Sequence, residues 1–313
     1  MRIFITGISG LLGLNAALQL KDRHDVSGGY LTHPIRVADV SAYPVDLSEA
    51  VAVEKIFKAK RPEVVLHTAG LTNVDACEAN PAEAKRLHVE ATRHVARAAQ
   101  RAGAKLVHIS TDHLSDGTGK FITEQSAPAP LNEYARTKWQ AEQAAVKECP
   151  GALIIRTNFF GWGTPVKKSF SDWILDGLRS GRTLTLFQDV YISPLLINDL
   201  VDVIEELVQR KESGIFNVAS RDRISKYEFG MRLAKVFELL RPDSFLPGRF
   251  RLAALPANRP LDMSLDTNKV TTVLGRAMPS VEDALQELKD LEGSGWSKKV
   301  WGAMPAAGEA CTV

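Results

Sequence analysis

The sequence predicts an α/β fold, a doubly wound parallel sheet carrying a smaller C-terminal lobe. Three observations predict it. Through the first half, β-branched apolar runs alternate with segments of helical periodicity, which calls for crossover connections and a parallel sheet covered on both faces. At the first strand–helix junction stand Gly7, Gly10 and Gly13, spaced G-x-x-G-x-x-G. Further on, a strand ending Ser110-Thr111-Asp112 is followed by Tyr134 and Lys138, four residues apart.

Taken in order, residues 2–6 read as a strand, 11–21 as a helix and 26–31 as a second strand. Residues 48–59 read as a helix with Ser48 as N-cap, and 63–68 as a strand. Asn80-Pro81-Ala82-Glu83 opens a long helix to about 102: Asn80 caps it, Pro81 suits its first turn, and Glu83 completes a capping box. A buried strand over 105–111, a helix over 132–148 and a strand over 152–157 complete the regular half. Beyond it, 170–179 and 195–209 read as helices, and 184–187 and 215–218 as short strands. A second capping box, Ser225-Lys226-Tyr227-Glu228, opens a helix to about 240. Residues 241–259, with Pro242, Pro247, Gly248 and Pro256, read as loop, and 280–291 as the last helix. From Gly293 onward the chain is small and polar apart from Trp296 and Trp301, and a loosely ordered tail over 292–313 is expected.

The bulk numbers bound the function. The chain has 313 residues, 45% hydrophobic and 24% charged, the composition of a globular protein with a sizeable core. A formal charge of +2 with scattered Lys and Arg favours neither nucleic acid nor an anionic membrane as partner. No apolar run approaches membrane-spanning length, and the first strand begins with no signal peptide ahead of it. Cys77, Cys149 and Cys311 are few and far apart, which fits a reducing cytoplasm, and neither they nor the dispersed histidines indicate a metal site. A small-molecule partner is expected, with a homodimer left open.

Glycines at a strand–helix turn let the backbone bend tightly, let a pyrophosphate approach the amides, and let the helix pack on the strand. The helix N-terminus then favours the anion. The turn therefore points to a Rossmann-type dinucleotide site built on Gly7, Ser9, Gly10, Leu11 and Gly13; a glycine-rich turn with no ligand is the alternative. An acid at the end of the second strand would bind a free ribose 2′-hydroxyl and select NAD. Here that end carries Thr32, His33 and Arg36 and no acid, which leans toward the 2′-phosphate of NADP(H), with NAD(H) kept open.

Four residues on a helix place Tyr134 and Lys138 on one face. A free tyrosine has a pKa of about 10, and a neighbouring ammonium lowers it. A hydroxyl of Ser110 or Thr111 can hold a substrate oxygen, and Tyr134 can give it a proton as hydride arrives from a nicotinamide. Tyr and Lys at this spacing also occur on ordinary solvated helices; the upstream glycine turn and the Ser-Thr strand end favour the chemical alternative.

Together these segments resemble the extended short-chain dehydrogenase/reductases, and within them the dTDP-4-dehydrorhamnose reductase family, over roughly residues 1–291. The matching stretches are 6–13, 71–78, 110–117, 132–138 with Glu142, Asp189 with Ser193-Pro194, and 259–266. The resemblance implies that Thr111, Tyr134 and Lys138 are catalytic. It implies cofactor contacts that also include Asp46, Leu47, Ala69, Gly70 and Lys138, and substrate contacts from Asp112, His113, Asn158, Phe159 and Arg259. It implies a nucleotide-binding part over 1–165 plus about 184–220, and a substrate lobe over about 166–183 and 221–291. The implied reaction is NADPH-preferring reduction of a carbonyl on a nucleotide-linked keto sugar or similar small ketone. Three positions depart from the family: His113 stands for an aromatic hydroxyl, His88 for an asparagine of the proton relay, and 156–163 for a tryptophan-bearing pattern. They leave open a different 4-keto sugar or a non-sugar carbonyl, and leave His88 as either a proton carrier or a packed helix residue. Two other outcomes stay in view: a sugar-nucleotide epimerase or dehydratase, and a dinucleotide-binding regulatory subunit like that of methionine adenosyltransferase.

Overall fold

The computed structural model describes residues 1–305 apart from 251, 252 and 254. Its centre is a seven-stranded sheet. The strands are β1 (Arg2–Thr6), β2 (Asp25–Tyr30), β3 (Ser41–Pro44), β4 (Val64–His67), β5 (Lys105–Ile109), β6 (Leu153–Arg156) and β7 (Gly214–Asn217). They lie in the order β7-β6-β5-β4-β1-β2-β3, every pair parallel. The predicted doubly wound sheet is thus present, and the order reverses at β1, where such sheets bind ligands beyond the strand ends.

Helices cover both faces because successive side chains on a strand point opposite ways. From β1, Ile3 and Ile5 enter one apolar cluster with α1 (Leu11–Leu20), α8 (Ile197–Gln209) and α10 (Asn268–Leu274). Phe4 enters the other, with α2 (Ala50–Lys60), α5 (Ala91–Ala102) and α6 (Glu133–Glu148). Between α2 and α5 come α3 (Val74–Ala79), α4 (Pro81–Lys85) and a π-helical turn over Arg86–Glu90. A third cluster forms the lobe, from α7 (Phe170–Arg179), α9 (Lys226–Val236) and α11 (Val281–Gly293). No helix among the described residues is long and apolar enough to cross a membrane.

The structure corrects several expectations. Residues 184–192, expected with the nucleotide-binding part, pack in the lobe: Leu184–Phe187 pairs in parallel with Phe245–Gly248, inside the stretch read as loop. Ser48 does not cap α2; its hydroxyl and amide donate to Asp46 Oδ1, and Glu49 takes the cap position. Asn80 does cap its helix, accepting from Glu83 N, but Glu83 pairs with Arg86 rather than closing a capping box. The capping boxes at Ser225 and Ser280 are complete.

The tail is not loose where it is described. Helix α12 (Trp296–Gly302) docks on α1, with Trp296 Nε1 donating to Asn15 Oδ1 at 2.8 Å and Val300 buried. Asn15 in turn donates to the Trp162 carbonyl at 2.9 Å, so one buried amide ties α1, the chain beyond β6 and the tail together. The remainder of the expected tail, from 306 to 313 and including Cys311, lies outside the described residues.

Helix α6 is fixed to the sheet by an ion pair. Arg156, at the end of β6, donates Nε and Nη2 to the two oxygens of Glu142 at 3.0 and 2.8 Å, with both side chains buried. Removing one partner of such a pair strands the other charge in the interior. Glu142→Ala is expected to destabilise the fold by about 3–5 kcal/mol, and Glu142→Leu with Arg156→Met to recover most of it, read from urea midpoints. Equal losses in the single and double variants would show that the stranded charge is not the cause.

Candidate active site

The site forms where four strand ends meet: Gly7 after β1, Thr68 to Gly70 after β4, Ser110 and Thr111 after β5, and Thr157 and Asn158 after β6. Its floor is the glycine turn. Gly7 has φ +67°, and a Cβ there would lie 2.9 Å from the Ala69 Cα, so the turns after β1 and β4 are in backbone contact. A Cβ on Gly13 would come within 2.3 Å of the Gly7 carbonyl oxygen, which requires glycine for α1 to start so close to the strand. Gly10 is the N-cap of α1 and offers no side-chain cap, so the first-turn amides keep no local acceptor from it. Ser9 and Leu11 flank it, both half-buried. This is a cradle that fits a dinucleotide pyrophosphate.

Of the other cofactor candidates, Thr32, His33 and Arg36 are exposed beyond the end of β2. Leu47 is buried and its carbonyl accepts from His94. Asp46 is engaged by Ser48 and lies 3.6 Å from Arg86.

The reactive side chains hang from β5 and α6. Asn132 caps α6, accepting from Ala135 N, and sets the helix so that Tyr134 and Lys138 face the strand ends. Lys138 is buried; its Nζ donates to the Ile109 carbonyl at 2.6 Å, and burial lowers its pKa to about 8. Burial pushes Tyr134 up to about 12, and a hydrogen bond with Thr111 pulls the other way. The expectation that Lys138 depresses Tyr134 therefore does not hold here: the ammonium is spent on a main-chain carbonyl, and burial prevails over the hydroxyl contact.

Around Lys138 sit three buried histidines that sequence reasoning did not gather: His67, His88 and His108. Burial first and the Lys138 charge second hold all three below the ordinary imidazole range, His67 and His88 at about 3. His67 bridges Thr6 Oγ1 at 2.7 Å and Thr92 Oγ1 at 3.0 Å, and its ring centre lies 5.3 Å from that of His108. His88, on the π turn, places Nδ1 2.8 Å from Thr137 Oγ1 and Nε2 3.0 Å from Leu71 N. Nε2 also lies 2.9 Å from the Leu71 carbonyl, so in either neutral tautomer one ring nitrogen engages Leu71 and the other Thr137. His88 is thus a neutral brace between the loop after β4 and α6. Its ring meets Tyr134 edge-on at 5.7 Å, and His113 does the same from another side at 5.5 Å.

The expected substrate residues divide. Asp112 is buried, accepts from Asn158 Nδ2 at 2.7 Å, and is pushed by burial up to about 6. His113 keeps a buried Nδ1 without a hydrogen-bond partner and is lowered by burial to about 3. Arg259 is tied to Asp75 at 2.8 Å and to the Ala257 carbonyl at 2.9 Å, which joins the lobe to α3. Phe159 packs against the sheet's apolar face instead of joining the site, because it pairs with Leu195 in a short parallel bridge.

The model of the RmlD substrate binding domain matches residues 1–292. The chain is 32% identical over 296 residues to the probable low-salt glycan biosynthesis reductase Agl14 of Haloferax volcanii, covering 92% of this chain and 97% of that one. It is 29% identical over 288 residues to methionine adenosyltransferase 2 subunit beta of Pongo abelii, covering 89% and 84%. A crystal structure of a dTDP-4-dehydrorhamnose reductase from Clostridium acetobutylicum superposes with a TM-score of 0.81 at 26% identity, covering 94% of this chain and 100% of that one.

The neutral histidines carry a pH signature. Below the ordinary value of 6.5 an unfolded chain takes up protons that His67 and His88 refuse until about 3, so stability falls as pH drops through that window. His88→Asn is expected to flatten the fall, seen as a smaller change of urea midpoint between about pH 7 and 4. An unchanged slope would mean that His88 takes its proton as readily folded as unfolded.

Proposed function

The chain belongs to the RmlD substrate binding domain family, and from that membership we propose that it is an NADPH-preferring reductase of a carbonyl on a nucleotide-linked keto sugar or a similar small ketone. The observation that carries the proposal is continuity at the strand ends. Gly7 abuts Ala69, a Cβ on Gly70 would touch the His88 ring at 3.3 Å, His88 packs on Tyr134, and Tyr134 lies close enough to the Thr111 hydroxyl for it to favour the phenolate. A cofactor cradle and a proton-donating phenol are thereby parts of one packed surface.

In this proposal Gly7, Ser9, Gly10, Leu11 and Gly13 hold the pyrophosphate, with Ala69 and Gly70 alongside, and a sequence with no acid from residue 28 to 36, at the end of the second strand, supports NADPH over NADH. When bound, the nicotinamide supplies the hydride. The protein's own residues do the rest. The Thr111 hydroxyl orients the substrate oxygen. Tyr134, held protonated by burial, gives that oxygen its proton. Lys138 keeps a positive charge beneath the site and stands one helical turn from the phenol. His88 braces the loop after β4 against α6, and Asp112, His113 and Asn158 line the substrate side. The same proposal divides the labour between the sheet, which binds the cofactor, and the lobe built from α7, α9 and α11, which binds the substrate.

The similarity to methionine adenosyltransferase 2 subunit beta favours one second reading, a regulatory subunit. Titration with NADPH and NADH, followed by a keto-substrate panel read at the nicotinamide absorbance, separates the two. Turnover of a keto sugar nucleotide supports the reductase; tight binding without turnover across the panel supports the regulatory subunit. In an active preparation Tyr134→Phe is expected to lower kcat by roughly 10²–10⁴-fold with NADPH affinity retained. Near-full activity in that variant would sink Tyr134 as the donor.

A further inference from the structure

Helix α9 begins at Lys226, the first residue after the Ser225 cap, on the lobe's side of the cleft. Its backbone is pinned, the amide donating to the Val190 carbonyl at 3.0 Å. Its side chain is half-buried and makes no hydrogen bond or ion pair with any described residue. What it does meet is the face of Phe170, with Nζ 5.7 Å from the ring centre. Three residues earlier the situation is the opposite: Arg223 stacks on Tyr191 at 3.5 Å and donates to Asp262 at 2.6 Å. Lys226 is a cation of the lobe whose three N–H donors bond to no described residue.

Its surroundings put the ammonium in the substrate cleft. It lies within electrostatic reach of Asp112 and His113 at the end of β5, and of Arg259 opposite. Asp112 is turned toward Asn158 and Thr111 and does not bond the ammonium, while Arg259, paired with Asp75, is a second cation facing it. Burial pulls the Lys226 pKa down. The half-buried ammonium still meets water at the cleft, and a group with several anionic oxygens can take that water's place with charge-assisted hydrogen bonds.

Resting on the reductase reading above, we propose that Lys226 is the lobe's contact to a phosphate of the substrate. The reacting carbonyl is then held at Thr111 and Tyr134 while the phosphate-bearing end is fixed from α9, with Phe170 as the apolar wall beneath the ammonium. Nothing in the local sequence marks the role, since a lysine after a capping serine is an ordinary helix start.

The test uses the full chain saturated with NADPH. Calorimetric titration with dTDP and, separately, with inorganic pyrophosphate is compared among wild type, Lys226→Met and Lys226→Arg. Lys226→Met is expected to weaken dTDP binding roughly tenfold to a hundredfold, with NADPH affinity unchanged and Lys226→Arg largely restoring it. In turnover the same loss should fall on KM for a keto sugar nucleotide, with kcat held, and be absent for an uncharged ketone. Undiminished dTDP binding in Lys226→Met overturns the proposal. Loss of dTDP binding in Lys226→Met with pyrophosphate binding undiminished also overturns it, by assigning Lys226 to a part of the ligand other than the phosphates. Equal losses on charged and uncharged substrates would make Lys226 a packing residue. If no keto sugar nucleotide turns over, the reductase reading fails while the dTDP titration still decides on Lys226.

Discussion

A positive charge held inside the sheet's edge organises this protein. Lys138 is buried with its ammonium on the Ile109 carbonyl, and everything near it must tolerate that charge. His67, His88 and His108 tolerate it by staying neutral, and a neutral imidazole can donate from one nitrogen and accept at the other. That asymmetry lets His67 link Thr6 to Thr92, and lets His88 link the loop after β4 to α6. The polar interior is therefore a braced framework, and the strand ends that carry the site are held by it.

The same charge depends on where α6 lies, and α6 is positioned from three directions. Asn132 caps its start and reaches the Asn258 carbonyl at 2.6 Å; Glu142 pairs with Arg156 from β6; Thr137 meets His88. The lobe closes over this arrangement through Arg259 on Asp75 and Lys167 on Thr72, both contacts reaching the segment that follows β4. Tyr134 and Thr111 thus sit in a seam between sheet and lobe, walled by His88 and His113.

What was legible in the sequence was local. Gly7 and Gly13 are readable because a strand turning at once into a helix leaves no room for a Cβ. Asn80 and Ser225 are readable because a cap satisfies amides only three residues away. What depends on distant partners was not. Leu184–Phe187 joins the lobe because Phe245–Gly248 lies beside it, and nothing within either segment says so. Ser48 looks like a cap until Asp46 and Arg86 compete for it. The family resemblance raised His88 and His113 as departures, but only the fold brings both against Tyr134, and only the fold leaves Lys226 without a hydrogen-bond partner among the described residues.

The protonation states bear on the direction of the chemistry. A reductase must give a proton to an oxygen as it becomes an alkoxide, and so needs a donor that is protonated at rest. Burial holds Tyr134 in that form, and the Thr111 hydroxyl contact only partly offsets it. An oxidation would need the phenolate at rest, against the same burial and against the Asp112 charge nearby. Lys138 does not reverse this, its ammonium being satisfied by the Ile109 carbonyl. On the proposed reduction, the resting phenol is kept ready to give its proton by burial rather than by a lowered tyrosine pKa.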